Sequence, residues 1–475
     1  MIDWTASMQQ TFEYYIVDPN TWKDVKLIND VTSCSISWDS EADTLGSATL
    51  EVGSELNECY VRIYLVIIQN GVQYKETLGT FIVQSQPASF NGRRKSISVD
   101  AYTPLLELKE KKPPIGYYVP KNTNIMTNVY MSTRENLRAP VVKPECDETL
   151  YNDFIADIDD DWLNFLKDLM ANAKYKFDID KEGRILFSPK QDLDALQPIW
   201  TYDDSNSSIL YPDINTNKDL YGIPNVVEVL YSSGTGYIYS RKVNDDPNSP
   251  TSTINRGREI LHRVTDPEIV GMDSSEVSDE SQKRIDEYAE TLLKELSSVE
   301  VTISYKHGYC PVRVGDCIRL NYSRADLVGI KAKVISQTIS CKLGCEVSEK
   351  AVLPIKFWRW WIMSLSNNLI LQFVKSTNDK KQDKNKETTA YGKVVNNNGQ
   401  YYVKLDGSDI YTPAFVTTNI NIEQPVMVKI KNHSAYVVGN TTPMQDTSND
   451  NNILNSTMKY SISTIPKEDI ESLWY

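Results

Sequence analysis

Short runs of alternating apolar and polar residues fill the N-terminal part of the chain. Such runs, rich in Val, Ile, Tyr and Thr, are typical of strands with one buried face. Asn70-Gly71 and Asn91-Gly92 lie between runs and supply the positive φ angles of tight hairpin turns. The pattern predicts a small β-barrel or sandwich over residues 1–110. Its six predicted strands are Thr11–Val17, Cys34–Trp38, Ala48–Val52, Tyr60–Ile68, Tyr74–Val83 and Lys95–Tyr102.

The period of the apolar positions changes within residues 111–220. From Asp161 to Ala173 they recur at helical spacing, which predicts an amphipathic helix. Strand-like runs at Tyr175–Ile179 and Arg184–Phe187, on either side of Gly183, predict a hairpin directly after it. This stretch is therefore expected to be an α+β insert. The apolar face of the helix consists of Trp162, Phe165, Leu166, Leu169 and Met170.

Strand patterns return in two later segments. Residues 221–353 predict a second β-barrel with a helix that begins at Ser278, and residues 389–441 predict a small OB-like barrel. Residues 354–388 form an aromatic segment and a charged linker, and residues 442–475 form a polar tail. The predicted strands are Val226–Tyr231, Tyr237–Arg241, Glu300–Tyr305, Asp316–Asn321, Ala332–Ser340 and Glu346–Val352, then Tyr391–Val395, Gln400–Leu405, Val426–Ile430 and Ala435–Val438.

Length and charge narrow the function classes. The 475 residues are enough for three or four domains, at about 100–200 residues each. The chain has 64 acidic and 50 basic residues, and its formal net charge is −14. This balance argues against a protein that grips nucleic acid, because such proteins need clustered cations against phosphate. It would let DNA slide past without sticking.

The chain gives no sign of secretion or of membrane insertion. Its first residues lack a basic stretch followed by an apolar one. The best candidate for a membrane span, Ile355–Val374, contains Lys356, Arg359 and the pair Asn367–Asn368, which are costly at the centre of a bilayer. We expect a soluble protein made in the cytoplasm.

The seven cysteines do not suggest a disulfide framework, because their number is odd and their spacing irregular. Four of them, near His307, could hold a metal if strands brought them together. Their spacing lacks the paired Cys-x₂-Cys knuckles of structural zinc sites, so buried free thiols are the better interpretation. We expect no metal and no cofactor. The four candidate ligands are Cys310, Cys317, Cys341 and Cys345.

A search for catalytic motifs finds no zinc-protease, serine-hydrolase or phosphate-loop signature. The acidic run Asp157–Asp161 could serve a Ca²⁺ site or a glycosidase. A solvated helix start explains it better, since carboxylates complement the helix dipole there. His262 is expected to pack against apolar neighbours, and His433, in a predicted turn, to lie at the surface. We expect no enzyme and assign no catalytic residue.

The aromatic segment is the most unusual local feature. Four large aromatic side chains within five positions cannot all lie on one face of a helix or strand. The segment is therefore either buried on all sides or in contact with a partner. We treat it as an interface candidate, with an intramolecular core as the alternative. Its residues are Phe357, Trp358, Trp360 and Trp361.

Several patterns resemble those of phage tail baseplate hub, or tail-tip hub, proteins. Gly222-Ile-Pro-Asn-Val-Val-Glu-Val resembles the first strand of their second barrel, and Pro311–Leu320 and Lys331–Ile339 resemble two later strands. Asp161–Phe187 resembles the helix-plus-hairpin element between their barrels. The order of domains also resembles the hub and OB parts of type VI secretion spike proteins. The last barrel is similar to tail-tip OB domains in Gly392-Lys-Val-Val, Val403-Lys-Leu-Asp-Gly, Tyr411-Thr-Pro-Ala and Val437-Val-Gly-Asn.

This resemblance implies a mainly β fold with two tail-tube-like β-barrels, a helix-plus-hairpin domain and a C-terminal OB-like barrel. It implies a homotrimer in the virion tail whose six barrels face a six-fold tube and whose other side faces a three-fold tip. The implied partners are the tail tube or distal tail protein, the tape measure protein, and a central spike, fibre or other baseplate protein. DNA would pass during ejection without specific binding. The sequence departs from the spike family after residue 441, where no needle repeat follows.

Two alternatives remain at the level of sequence. One is a tail-associated hydrolase of the host cell wall that uses the acidic run Asp157–Asp161. The other is a carbohydrate-binding receptor protein that uses exposed aromatic residues such as Trp358 and Trp360, together with the OB-like barrel.

Overall fold

The structure is a computed structural model, and it confirms a mainly β protein with few helices. It describes residues 2–441 except 94, 192, 206, 219, 234–235, 266–278, 298, 356–386, 398, 417, 421, 423 and 432. The aromatic segment, most of the charged linker and the polar tail lie outside the described residues.

The N-terminal segment consists of strands, and all six predicted ones are confirmed. Two short additional strands have mostly exposed side chains and lack the alternation that marks a buried face. The elements are β1 Gln9–Val17, β2 Asp24–Leu27, β3 Val31–Asp39, β4 Gly46–Val52, β5 Tyr60–Gln69, β6 Val72–Ser85, β7 Ala88–Phe90 and β8 Lys95–Tyr102.

The described residues of the following segment form three helices and a hairpin. The predicted helix and hairpin are confirmed, and the predicted apolar face of the helix is buried. Two further helices were not predicted. The elements are α1 Leu106–Glu110, β9 Tyr118–Val119, α2 Ile125–Asn136, β10 Phe154–Ile155, α3 Trp162–Ala171, β11 Tyr175–Ile179 and β12 Ile185–Pro189, with a 3-10 turn at Leu193–Ala195.

The third segment is again rich in strands, and α5 begins one residue after its predicted start. The elements are β13 Trp200–Asp203, β14 Leu210–Lys218, β15 Val226–Ser233, β16 Gly236–Val243, α4 Thr253–Arg256, β17 Leu261–Thr265, α5 Asp279–Leu296, β18 Val299–Gly308, β19 Cys317–Tyr322, a 3-10 turn at Ser323–Ala325, β20 Leu327–Ser340 and β21 Glu346–Ile355.

The last described segment forms its own six-stranded sheet in the order β24-β23-β22-β26-β27-β25. Only Ala414 separates β24 from β25, yet these strands occupy the two ends of that order, so the sheet curls back on itself. The elements are β22 Glu387–Asn397, β23 Gln400–Leu405, β24 Tyr411–Pro413, β25 Phe415–Val416, β26 Pro425–Lys431 and β27 Ser434–Asn440.

One continuous sheet connects the first and third segments. Its main path runs β14-β18-β21-β20-β3-β4-β8-β6-β5-β1-β2, and β3 pairs with β20 from Ser35–Ser340 to Asp39–Ser336. We call the part of the sheet formed by β1–β8 its first half and the part formed by β13, β14 and β18–β21 its second half. The two halves therefore share main-chain hydrogen bonds as well as side-chain packing. Strands β13 and β14, which the sequence places with the α+β insert, pair with β19 and β18 of this sheet.

Five larger apolar cores occur among the described residues. The core of the first half also contains Ile339, Cys341 and Val347 from the third segment, so it crosses the β3–β20 junction. The insert and the second half of the sheet have cores of their own, and α5 packs on the separate sheet β16-β15-β17. The core of the C-terminal barrel contains Ile155 from the insert. The barrel is therefore packed directly against the insert.

Candidate functional site

The seam between the insert and the C-terminal barrel brings together polar residues that are far apart in the sequence. His433 lies in the turn between β26 and β27, with a φ of 55°. The Ile155 amide donates to the His433 carbonyl at 2.9 Å, and His433 Nδ1 lies 2.8 Å from the Ile155 carbonyl oxygen. Since a carbonyl oxygen only accepts, Nδ1 carries the proton. The ring of Phe154 stacks on the imidazole at a centroid distance of 4.0 Å.

Two carboxylates of the acidic run face this histidine. Asp157 and Asp160 are only 8% and 7% exposed, and their ligand atoms lie within 4.8 Å of each other and of a ring nitrogen of His433. The Asp157 amide donates to Asp160 Oδ2 at 3.2 Å, and Thr388 Oγ1 of the barrel donates to Asp157 Oδ1 at 3.3 Å. Across the seam, Asp168 Oδ2 lies 3.6 Å from His433 Nε2. We call Asp157, Asp160 and His433 the seam cluster.

The acidic run therefore divides into two roles. Asp161 is the N-cap of α3, and its side chain accepts from the Asn164 amide at 2.7 Å, as expected for a helix start. Asp159 is exposed. The prediction of a solvated helix start is wrong for Asp157 and Asp160, because the C-terminal barrel covers them.

The predictions for two histidines are also wrong. His433 is buried rather than superficial, since its turn inserts against β10 and α3. His262 is exposed on β17 rather than packed in a core. No local signal marks His433, because a turn that docks on another domain has the same composition as a solvated one.

A second contact fixes the barrel to the insert near residue 116. Thr412 Oγ1 donates to the Gly116 carbonyl at 2.8 Å, and Ser408 Oγ donates to the Ile115 carbonyl at 2.6 Å. Gly116 has a φ of +77°, and a Cβ at this position would lie 2.6 Å from Thr412 Oγ1. Only glycine accommodates both the left-handed backbone and this close approach.

The other concentration of polar side chains lies inside the large sheet. Glu349 on β21 accepts from Tyr305 at 2.7 Å, from Gln337 at 2.7 Å and from Tyr202 at 3.3 Å. His307 Nε2 lies 3.3 Å from Glu349 Oε1, and its Nδ1 lies 2.7 Å from the Gly308 carbonyl. We call Tyr202, Tyr305, His307, Gln337 and Glu349 the core network.

Both ring nitrogens of His307 face acceptors, which suits a charged imidazolium. Burial opposes that charge, but hydrogen bonds with Cys310 and Glu349 and the charge of Glu349 outweigh it and raise the pKa of His307 to about 10. Burial also opposes the Glu349 charge, yet His307 and the hydroxyl and amide donors lower the pKa of that carboxyl. The pair is therefore an internal ion pair whose hydrogen bonds come from the surrounding strands. With His307 and Glu349 both fully buried, it suits a role in stability rather than contact with a substrate.

The four candidate cysteine ligands do not come together as one group among the described residues. Cys310 lies 3.2 Å from Tyr202 Oη beside the core network, and Cys317 lies on β19. Cys341 and Cys345 belong to the core of the first half, where the Cys341 amide donates to the Cys34 carbonyl at 3.0 Å. Within the described part of the chain, the seam cluster is the one group of three or more metal-type side chains with ligand atoms this close together.

The other candidate residues, Phe357, Trp358, Trp360 and Trp361, lie outside the described residues. Their role as an interface stays a prediction. Among the residues that the structure describes, no helix is both long and apolar enough to cross a bilayer.

No protein-family model matches the sequence, and no curated protein is significantly similar to it. The fold, in contrast, is similar to solved tail proteins. A tail protein from Neisseria meningitidis MC58 superposes with a TM-score of 0.53 at 12% identity, over 73% of this chain and 97% of that one. The 43 kDa tail protein of prophage MuSo2 from Shewanella oneidensis superposes with a TM-score of 0.50 at 10% identity, over 72% of this chain and 98% of that one.

A chain of the Francisella PdpA–VgrG complex superposes with a TM-score of 0.52 at 10% identity, over 96% of this chain and 72% of that one. Identities this low establish the fold alone. The resemblance predicted from the sequence is confirmed at that level: this chain shares the fold of these tail proteins and of that chain of the PdpA–VgrG complex.

Proposed function

We propose that the protein is a structural hub of a phage or phage-like tail. The observation that carries the proposal is the fold, which covers nearly the whole length of two tail proteins. In this role three copies would close a ring that adapts a six-fold tail tube to a three-fold tip. The predicted domains at 1–110, 111–220, 221–353 and 389–441 would supply the ring and its attached barrel.

The open edges of the large sheet support assembly with other chains. At one end, β2 pairs with β1, and no second strand partner of β2 occurs among the described residues. Val25 and Leu27 on this strand are 62% and 39% exposed. The outer side of β2 leaves amides and carbonyls without strand partners, which is the arrangement that allows a strand of another chain to pair there. A closed ring of three subunits uses head-to-tail contacts, in which this edge would meet a different surface of the next subunit.

The charge of the chain suits a channel for DNA. The formal charge of −14 per chain triples in a trimer, so the surface of a ring would repel phosphate rather than bind it. DNA would then pass through the hub without specific contacts. The tail tube or distal tail protein, the tape measure protein and a tip protein are the proposed partners, and the aromatic segment is a proposed contact with one of them.

Mass photometry of the purified chain, alone and mixed with tail proteins from the same particle, tests the proposed assembly. We expect a trimer in at least one of these samples. A chain that stays monomeric in both and does not associate with tails would contradict the proposal.

The position of the acidic run argues against the hydrolase alternative. Asp157 and Asp160 lie beneath the C-terminal barrel, whose Thr388 contacts Asp157, so both carboxylates are largely covered in the docked arrangement. A zymogram on host cell walls tests for a hydrolase elsewhere in the chain, and we expect no clearing.

A further inference from the structure

We propose that Asp157, Asp160 and His433, the seam cluster, bind one divalent cation of the zinc type and thereby lock the C-terminal barrel onto the insert. Two of the three ligands come from the insert and the third from the barrel, so a bound ion would bridge both units. The inference goes beyond the tail role and is measured independently of it, on the isolated chain.

The spacing of the ligand atoms fits a single ion. All three lie within 4.8 Å of one another. Zinc holds imidazole nitrogen and carboxylate oxygen at about 2.0–2.2 Å, so two of its ligands are at most about 4 Å apart. Small side-chain rotations therefore close the observed distances around an ion. Asp168 Oδ2 lies 3.6 Å from His433 Nε2 but does not belong to this group of three.

The histidine is oriented as metal-binding histidines are. Its Nδ1 donates to the Ile155 carbonyl at 2.8 Å, so in the neutral ring Nε2 carries the lone pair. A hydrogen bond from the non-ligating nitrogen to a backbone carbonyl is the common device that fixes the tautomer of a ligating histidine. Stacking on Phe154 at 4.0 Å further restricts rotation of the imidazole.

Charge favours a cation at this position, because Asp157 and Asp160 are buried and two neighbouring carboxylates in such a site repel each other when both are ionised. Two carboxylate oxygens and one imidazole suit zinc, whose sites accept both ligand types, and the seam cluster contains no thiolate.

The test uses the purified full-length chain, stripped with EDTA, dialysed and titrated with ZnCl₂ in a calorimeter. We expect one Zn²⁺ per chain with micromolar or tighter affinity. Zinc should also raise the melting temperature of the stripped protein. Asp160→Asn should weaken binding by about 100-fold or more, since it removes a ligand charge. Asp159→Asn is the matched control, because this neighbour is exposed and outside the seam cluster, and it should bind zinc like the wild type.

Three results would overturn the proposal. The first is the absence of stoichiometric zinc binding by the wild-type chain. The second is equal weakening by Asp159→Asn and Asp160→Asn, which would place the ion elsewhere. The third is a stability loss in Asp160→Asn while EDTA and zinc leave the wild type unchanged, which would identify an ion pair only. If Asp160→Asn does not fold, the wild-type titration and melting curves still decide.

Discussion

Two buried histidines in this chain have contrasting surroundings. His307 lies within the large sheet, where side chains on β13, β18 and β20 converge on one carboxylate of β21, Glu349. His433 lies between separate units, and its partners come from β10, the acidic run and α3. The first arrangement is complete within one sheet and supports the core. The second exists only while the C-terminal barrel is docked, so it reports on how the units are held together.

The largest expected effect is on the core network. Glu349→Ala removes the acceptor of three hydrogen bonds and leaves His307 without its counter-charge in a buried position. Breaking a buried ion pair in this way costs about 3–5 kcal/mol. Chemical denaturation should show this loss in the transition of the large sheet. Glu346→Ala, on the same strand but in an exposed pair with Lys306, should cost less than about 1 kcal/mol. Equal losses would contradict the importance of the network.

The next effect concerns the seam. Gly116→Ala places a Cβ on a backbone in the left-handed region and brings it against Thr412. Backbone strain of this type lowers the free energy of unfolding by about 1–3 kcal/mol. We expect faster cleavage of the C-terminal barrel in limited proteolysis, because the barrel undocks. Gly71→Ala is the matched control, since Gly71 also has a φ of +77° but a Cβ there has no neighbour within 4 Å. If both variants are cleaved at the same rate, contact with Thr412 does not hold the seam.

A pH series tests the ion pair of the core network. The folded-state pKa of His307 is raised from the ordinary 6.5 to about 10, so its contribution to stability is fully present below pH 6.5 and is lost as the pH rises through 10. We expect the free energy of unfolding of the large sheet to fall continuously between pH 6.5 and 10. His307→Gln should remove most of this slope. A wild-type stability that is flat over this range would contradict the ion pair.

The smallest effect distinguishes two members of the acidic run. Asp161→Ala removes the N-cap of α3 and should destabilise the insert by about 1 kcal/mol. Asp159→Ala changes an exposed carboxylate and should stay within about 0.5 kcal/mol of the wild type. Thermal melts of the two variants test this difference. Equal melting temperatures would show that the cap does not stabilise the helix.

Sequence alone predicts elements whose burial is periodic. Helix α3 is recognisable because its apolar stripe coincides with one buried face, and the long strands are recognisable because they alternate. Helix α2 was missed although Asn124 caps it and Ile125, Met126 and Val129 form a buried stripe. Strands β2 and β7 lack alternation, since they lie at edges with mostly exposed side chains.

The pairing of strands that are distant in the sequence could not be predicted from the pattern of apolar and polar positions. Strands β13 and β14 were not predicted, and a local pattern does not specify their partners in the second half of the sheet. The same limit applies to the seam cluster, where Ile155 and His433 are 278 positions apart. The acidic run was visible in the sequence, but its burial depends on the docking of a distant barrel. The family resemblance predicted the fold because it rests on the order of units rather than on single motifs.

The most direct test of the hub role is an image of the intact particle, by cryo-electron microscopy, with a tag on this chain. We predict three copies in a closed ring at the end of the tail tube, around the path of the DNA. A tag found away from the tip, or a different number of copies at the tip, would contradict the account.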